Sequence, residues 1–197
     1  MKMEANQLIC KKQISIFFLS PVLFLLLAFS AGAQSRFEAH TLQYGYAKEF
    51  SDNVDYRMHM LVAELSRSFN KPRKNDFMGW YGQLQFNLVK ATNTPAGKTD
   101  VEFGLNLGIR NHIRLSRNFY LYQMLGSGPH YISAELDRQA NGFIFSDNLA
   151  IGSYIHLSSI YFLDLQFGIR HISNANIKLP NRGVNSYIIS VGISGIK

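Results

Sequence analysis

Between residues 101 and 115 the chain reads VEFGLNLGIRNHIRL, and its large apolar side chains fall on odd positions: Val101, Phe103, Leu105, Leu107, Ile109, Ile113 and Leu115. The even positions hold Glu102, Gly104, Asn106, Gly108, Arg110, His112 and Arg114. In IYFLDLQFGIRH, Tyr161, Leu163, Leu165, Phe167 and Ile169 alternate in the same way with Asp164, Gln166, Gly168 and Arg170. Tyr187, Ile189, Val191 and Ile193 alternate with Ser186, Ser190, Gly192 and Ser194. A period of two sustained over this length predicts β-strands with one apolar face. Eight such segments are expected, at about 37–47, 56–67, 79–90, 101–114, 119–133, 143–156, 159–172 and 185–196. Turn signals such as SDNVD, NKPRKND, NTPAGKTD, DRQANG and NIKLPNRG separate them. Several strands exceed the usual five or six residues and approach what a tilted membrane-crossing strand requires.

Eight long antiparallel strands suggest a closed barrel, and alternation alone leaves open which face looks inward. A soluble lipocalin-like barrel would turn its apolar face inward. The polar face carries Gly104, Gly108, Gly152, Gly168 and Gly192 beside Glu102, Arg110, Asp164 and Arg170. Glycine weakens a strand and has little purpose on a solvated surface, whereas small residues mixed with paired charges fit the narrow lumen of an eight-stranded barrel. Tyr44, Tyr46, Trp80, Tyr81, Phe119, Tyr120, Tyr161 and Tyr187 lie near strand ends, as interfacial aromatic girdles do. The expected fold is therefore an all-β, eight-stranded antiparallel transmembrane barrel, with both termini periplasmic and the segment 174–184 extracellular.

Composition then adds a compartment. Lys2, Lys11 and Lys12 precede the run ISIFFLSPVLFLLLAFS and the small-residue exit AGAQ. This is the anatomy of a secretory signal peptide, residues 1–33, cut before Gln34. Ser20 and Pro21 interrupt the run and argue against a membrane anchor. Cleavage after residue 33 of 197 leaves a barrel domain of 164 residues, 34–197, without Cys10, so no disulfide framework is available. Loss of Lys2, Lys11, Lys12 and Glu4 lowers the formal charge from +7 to +5. For an exported protein that excess suits an anionic membrane surface rather than nucleic acid.

The stretch RHISNANIKLPNRGVNSY, Arg170 to Tyr187, concentrates hydrogen-bonding residues before the last strand. Parity carries His171 and Ser173 onto the lipid-facing set of the seventh strand and Asn185 onto that of the eighth. Polar groups ending two apolar stripes are partly desolvated and need partners. A histidine and a serine at i, i+2 on one face meet the minimum for a nucleophile with its general base, with Asn185 across the hairpin to orient the imidazole. Asn181 or a backbone N–H near Ala175 is placed to receive an oxyanion. On spacing alone, most His–x–Ser pairs only satisfy each other or cap a loop.

The segment HISNANIKLPNRG resembles the signature of the lipid A 3-O-deacylases, the PagL-like family: histidine, any residue, Ser-Asn, then a loop with Pro-Asn-x-Gly. LGSGPHYISA and FIFSDNLAIG are similar to that family's fifth and sixth strands. The resemblance is specific over about 143–190 and diffuse elsewhere. It implies an integral outer-membrane carboxylic-ester hydrolase that removes the acyl chain from position 3 of lipid A, with no cofactor and no metal. It implies Ser173 as nucleophile, His171 as base, and Asn181 with the Ala175 amide as oxyanion hole. Asn185 stands where well-known members carry glutamate, and an asparagine presenting its carbonyl oxygen can still orient a histidine. Glu135 and Asp137 are the nearest acids by topology. Acyl chains are expected along Leu165, Phe167, Ile169, Ile189 and Val191, and phosphates at Lys178 and Arg182. Partners are then lipid A or lipopolysaccharide and outer-membrane lipids, with a homodimer left open. The rival readings are a non-catalytic small outer-membrane barrel of structural or adhesive kind with a degenerate site, and a soluble lipocalin-like binder. His112 and His156 are expected as lumen hydrogen-bonders, and His40, His59 and His130 lack metal-ligand spacing.

Overall fold

The computed structural model describes residues 37–50, 56–69 and 76–197. The signal peptide expected at 1–33 and the turns at 51–55 and 70–75 lie outside them. Eight strands follow in chain order: β1 (Glu38–Glu49), β2 (Tyr56–Ser68), β3 (Asp76–Ala91), β4 (Asp100–Arg114), β5 (Phe119–Ile132), β6 (Gly142–Ser158), β7 (Tyr161–Ser173) and β8 (Val184–Ile196). Each pairs antiparallel with its neighbour in sequence, and β8 closes on β1. Strands of 12 to 17 residues bond their backbone groups to both neighbours in a closed ladder, as a lipid environment demands, with a break where Leu105 and Asn106 face Gly128 and Pro129.

The apolar stripes face out. Leu42, Leu61, Leu84, Phe86, Leu125, Ile151, Phe167 and Ile189 are each about half exposed, while Gln43, Glu64, Gln85, Glu102, Arg110, Asp164 and Arg170 are buried inside. Inversion of the usual inside–outside pattern rules out a lipocalin-like arrangement and leaves the outer wall to lipid. In the lumen, Arg110 grips Glu64 through two parallel bonds of 2.5 and 2.6 Å. Nearer the long loops, Arg170 bonds Glu102, Tyr56 (2.8 Å) and Ser146 (2.7 Å), and His130 Nδ1 meets Glu102 at 2.7 Å. Asp164 is held by Tyr122 and Gln43 rather than by an arginine. Gly104 is required here because a Cβ would stand 2.2 Å from the His130 ring.

Apolar plugs close both ends of this polar interior. Tyr56, Met58, Ile132, Leu136 and Ile144 fill the end bearing the longer loops; Phe37, Phe77, Tyr81 and Tyr154 fill the other. Two of the residues expected in the aromatic girdles belong instead to this interior. Tyr81 is fully buried, and Tyr120 packs on Phe37 and Phe162, because their positions share parity with the lumen sides of β3 and β5. His112 lies in the lumen as expected, but stacked on Phe77 at 4.4 Å rather than in a side-chain hydrogen bond. His156 meets the Ser159 carbonyl at the β6–β7 turn.

Among the described residues, connections at one end are short, 115–118 and 159–160, and at the other long, 92–99, 133–141 and 174–183. The last two are stitched together. The Ala140 N–H donates to the Pro180 carbonyl and the Arg182 N–H to the Arg138 carbonyl, both at 2.8 Å, around the Gln139–Asn181 bridge. Leu136 and Ala140 are thereby buried over the barrel mouth, and the β7–β8 loop gains a fixed floor.

Candidate active site

Register aligns four polar residues of the outer wall in one row. His171 on β7 lies opposite Asn185 on β8 and opposite Asp147 on β6, and Asp147 lies opposite Ser127 on β5. His171 Nδ1 and Asn185 Oδ1 are 2.8 Å apart. The amide oxygen only accepts, so Nδ1 carries the proton and Nε2 is left with its lone pair. On the other side of the histidine, the Ser127 hydroxyl donates to Asp147 Oδ1 at 2.5 Å.

Ser173 is the last residue of β7, half-buried, on the same outward face as His171 and paired with Phe145. No hydrogen bond joins it to His171; such bonds are commonly long before substrate is present. The imidazole has little freedom to tilt. Gly183 runs past it so closely that a Cβ there would lie 2.4 Å from His171 Cε1, and its φ of +69° is itself one that glycine adopts most readily.

Beyond Ser173 the chain turns through Ala175 and Asn176, at φ of 52° and 62°. A left-handed alanine costs about 1 kcal/mol or more, and the surrounding bonds hold it there. The Asn174 N–H donates to Asn181 Oδ1 at 2.8 Å, and Asn181 Nδ2 donates to Asn176 Oδ1 at 2.9 Å. Buried Asn174 donates to the Lys178 carbonyl at 2.6 Å. Asn181 and the Ala175 amide are thus both brought to the loop above Ser173, with one Asn181 N–H engaged and one remaining. Lys178 reaches across to Asn141 at 2.5 Å, while Arg182 is exposed.

Phe167 and Ile169 continue the outward stripe below His171, at 51% and 42% exposure. A cleft of about 760 Å³ on the wall is lined by Tyr44, Leu165, Phe167, Ile189 and Val191 among others; Ile169 stands outside it. Asp137, one of the two acids considered from topology, is bonded by Asn93 at 3.1 Å, and Glu135 is exposed in the same loop. The acid aligned with His171 is Asp147, which the sequence reading missed. Its signal was available: a charge on the stripe Phe143, Phe145, Leu149, Ile151.

Of the solved structures with a similar fold, the crystal structure of the outer membrane enzyme PagL is 14% identical, covers 78% of this chain and 97% of its own, and superposes with a TM-score of 0.57. The crystal structure of Neisserial surface protein A is 11% identical, with 84% and 99% coverage and a TM-score of 0.55. At these identities the likeness speaks for the eight-stranded outer-membrane barrel alone. No curated protein sequence matches the chain. The profile of the family described as lipid A 3-O-deacylase (PagL) matches residues 56–194, every strand but the first and nearly to the end of the last. That match spans most of the chain and includes the His171–Asn185 hairpin, and the chain accordingly belongs to the PagL lipid A 3-O-deacylase family.

Proposed function

We propose that the protein is an outer-membrane esterase that removes the 3-O-linked acyl chain of lipid A by nucleophilic catalysis at the outer-leaflet interface. The observation that carries this reading is the bond from His171 Nδ1 to Asn185 Oδ1, with Ser173 two residues along on the same lipid-facing side. Residues 1–33 act as the cleaved export signal, by the same charge and hydropathy argument as above.

Ser173 Oγ attacks the ester carbonyl carbon and gives its proton to His171 Nε2. Asn185 keeps the imidazole in the tautomer that can take that proton and stabilises the imidazolium that results. Asp147, in register with His171 on the neighbouring strand, brings a carboxylate to the same row. The developing oxyanion is met by the Ala175 N–H and the remaining Asn181 N–H, both carried by the loop that follows Ser173. Collapse expels the sugar oxygen, which takes the proton from His171 and leaves an acyl-Ser173 ester. Water entering at the interface then repeats the sequence, with His171 as base, and releases the fatty acid. The acyl chain lies along the apolar stripe of Phe167 and Ile169 towards the cleft, and Arg182 with Lys178 meets a phosphate.

The test is the lipid A of an outer membrane expressing the chain, weighed by mass spectrometry. Loss of one ester-linked hydroxyacyl chain is expected with the parent and none with Ser173→Ala. An unchanged acyl count, or deacylation that survives Ser173→Ala, overturns the proposal. Failure of a fluorophosphonate to label Ser173 in lipid-containing micelles would favour a non-catalytic barrel.

A further inference from the structure

The outward face of the first three strands ends, at the rim bearing the long loops, in three cations. Register sets them side by side: Lys48 opposite Arg57, and Arg57 opposite Lys90. All three are exposed, and among the described residues none of them has a side-chain hydrogen bond or ion pair. Glu49, the next residue after Lys48, turns inward and is 4% exposed. The one carboxylate on the described outward face of these strands, Glu38, lies at their opposite end.

Like charges directly opposite on neighbouring strands repel, so this row weakens the barrel unless an anion lies across it. The wall beneath shows which environment surrounds it. One step down, Tyr46 and His59 face each other with rings 5.4 Å apart, and the Tyr44 hydroxyl bonds His59 Nδ1 at 2.5 Å. Below these the wall is aliphatic and aromatic, with Leu61 and Phe86 half exposed. Cation, then amphipathic ring, then hydrocarbon is the order met on passing from the headgroup layer into the acyl layer. Lys48 to Lys90 spans two strand spacings, about 10 Å, and Lys48 is in register with Tyr187 on β8. The row therefore abuts the strand that carries Asn185.

We propose that Lys48, Arg57 and Lys90 form a docking row for the phosphate groups of an outer-leaflet lipid. Lipid A as that lipid rests on the function proposed above; the row's preference for phosphate does not. The row lies across β8 from Ser173, so a lipid bound there is held with its headgroup beside the site and its chains against the wall.

The experiment reads binding and not turnover. The folded chain in neutral detergent is titrated with bisphosphorylated lipid A, with dephosphorylated lipid A of the same acyl composition, and with inorganic phosphate. Bound lipid is counted by mass spectrometry of the intact protein. Three cations near a headgroup layer should favour the bisphosphorylated lipid on the order of a hundredfold, less as salt rises. The triple variant Lys48→Gln/Arg57→Gln/Lys90→Gln should lose most of that preference, keeping only what Lys178 and Arg182 supply, and the charge-keeping Lys48→Arg/Lys90→Arg should retain it in full. Heat-dependent gel mobility checks that each variant is folded. A neutral variant whose preference equals the parent's, or a parent that has none, overturns the row. A parent that binds inorganic phosphate as tightly as lipid A overturns its assignment to a lipid. A parent that prefers the phosphorylated lipid through this row yet leaves its acyl count unchanged supports the row and overturns the esterase.

Discussion

At the scale of single residues, the question turns on Asn185. Its carbonyl oxygen gives His171 Nδ1–H an acceptor but adds no charge to offset the imidazolium. Removing the acceptor lets the ring take the other tautomer, so Asn185→Ala should lower kcat/KM by about 10²-fold, within the range such proton transfers contribute. Asn185→Glu keeps an acceptor and adds the charge, and should match or exceed the parent. The pair is measured with lipid A in mixed micelles; an alanine variant at parental activity would remove Asn185 from the mechanism. Much of this row was legible in the sequence, because parity alone assigns His171, Ser173 and Asn185 to one face. Asp147 obeys the same parity, but it lies far from the motif in the chain and only the β6–β7 register brings it opposite His171. Gly183 could not be read at all: what fixes it is the approach of an imidazole twelve residues back, a matter of three-dimensional path.

At the scale of the element, the β7–β8 loop carries the two groups proposed to meet the oxyanion. It rests on the neighbouring loop through the Ala140–Pro180 and Arg182–Arg138 bonds, and Asn181 ties its turn together by bonding the Asn174 N–H and Asn176. Gly183 joins that loop to β8 against the His171 ring. A Gly183→Ala substitution strains a left-handed backbone by about 1 kcal/mol and also pushes the imidazole aside. Displacement of a catalytic group by about 1 Å can cost about 10²-fold, so kcat/KM should fall by that order while urea unfolding in lipid changes little. Gly97→Ala is the matched control, since Gly97 has φ of +77° in the 92–99 loop and open space around its Cβ position. It should show the same small loss of stability and no loss of activity; equal activity in both variants would mean that Gly183 does not position the ring. The strands were visible in the sequence because alternation is a local signal. The stitching of 136–140 to 180–182 was not, because the loops carry turn residues without periodicity and their pairing depends on barrel closure.

At the scale of the whole molecule, the wall that bears His171 is only as rigid as the lumen behind it. Ser146 and Arg170 stand directly behind Asp147 and His171 in sequence, and Arg170 ties that wall to Tyr56 and Glu102 on the far side. The inward charges were readable from their parity, but their partners were not. Arg170 and Tyr56 are 114 residues apart, and Glu64, the partner of Arg110, lies in a strand of weaker alternation. The lower layer tests whether such pairs stabilise the barrel or merely satisfy one another. Arg110 is fully buried, doubly bonded to Glu64, and stacked over the Tyr122 ring at 4.3 Å. Arg110→Met leaves the Glu64 carboxylate buried without its cation and should cost about 3–5 kcal/mol, whereas Arg110→Met/Glu64→Leu removes both charges and should recover most of that loss. Unfolding in urea from lipid bilayers measures both. A double variant no more stable than the single would show that the bonds to Glu64 are not what makes Arg110 indispensable, and would shift that role to its contacts with Tyr154 and the tyrosine rings around it.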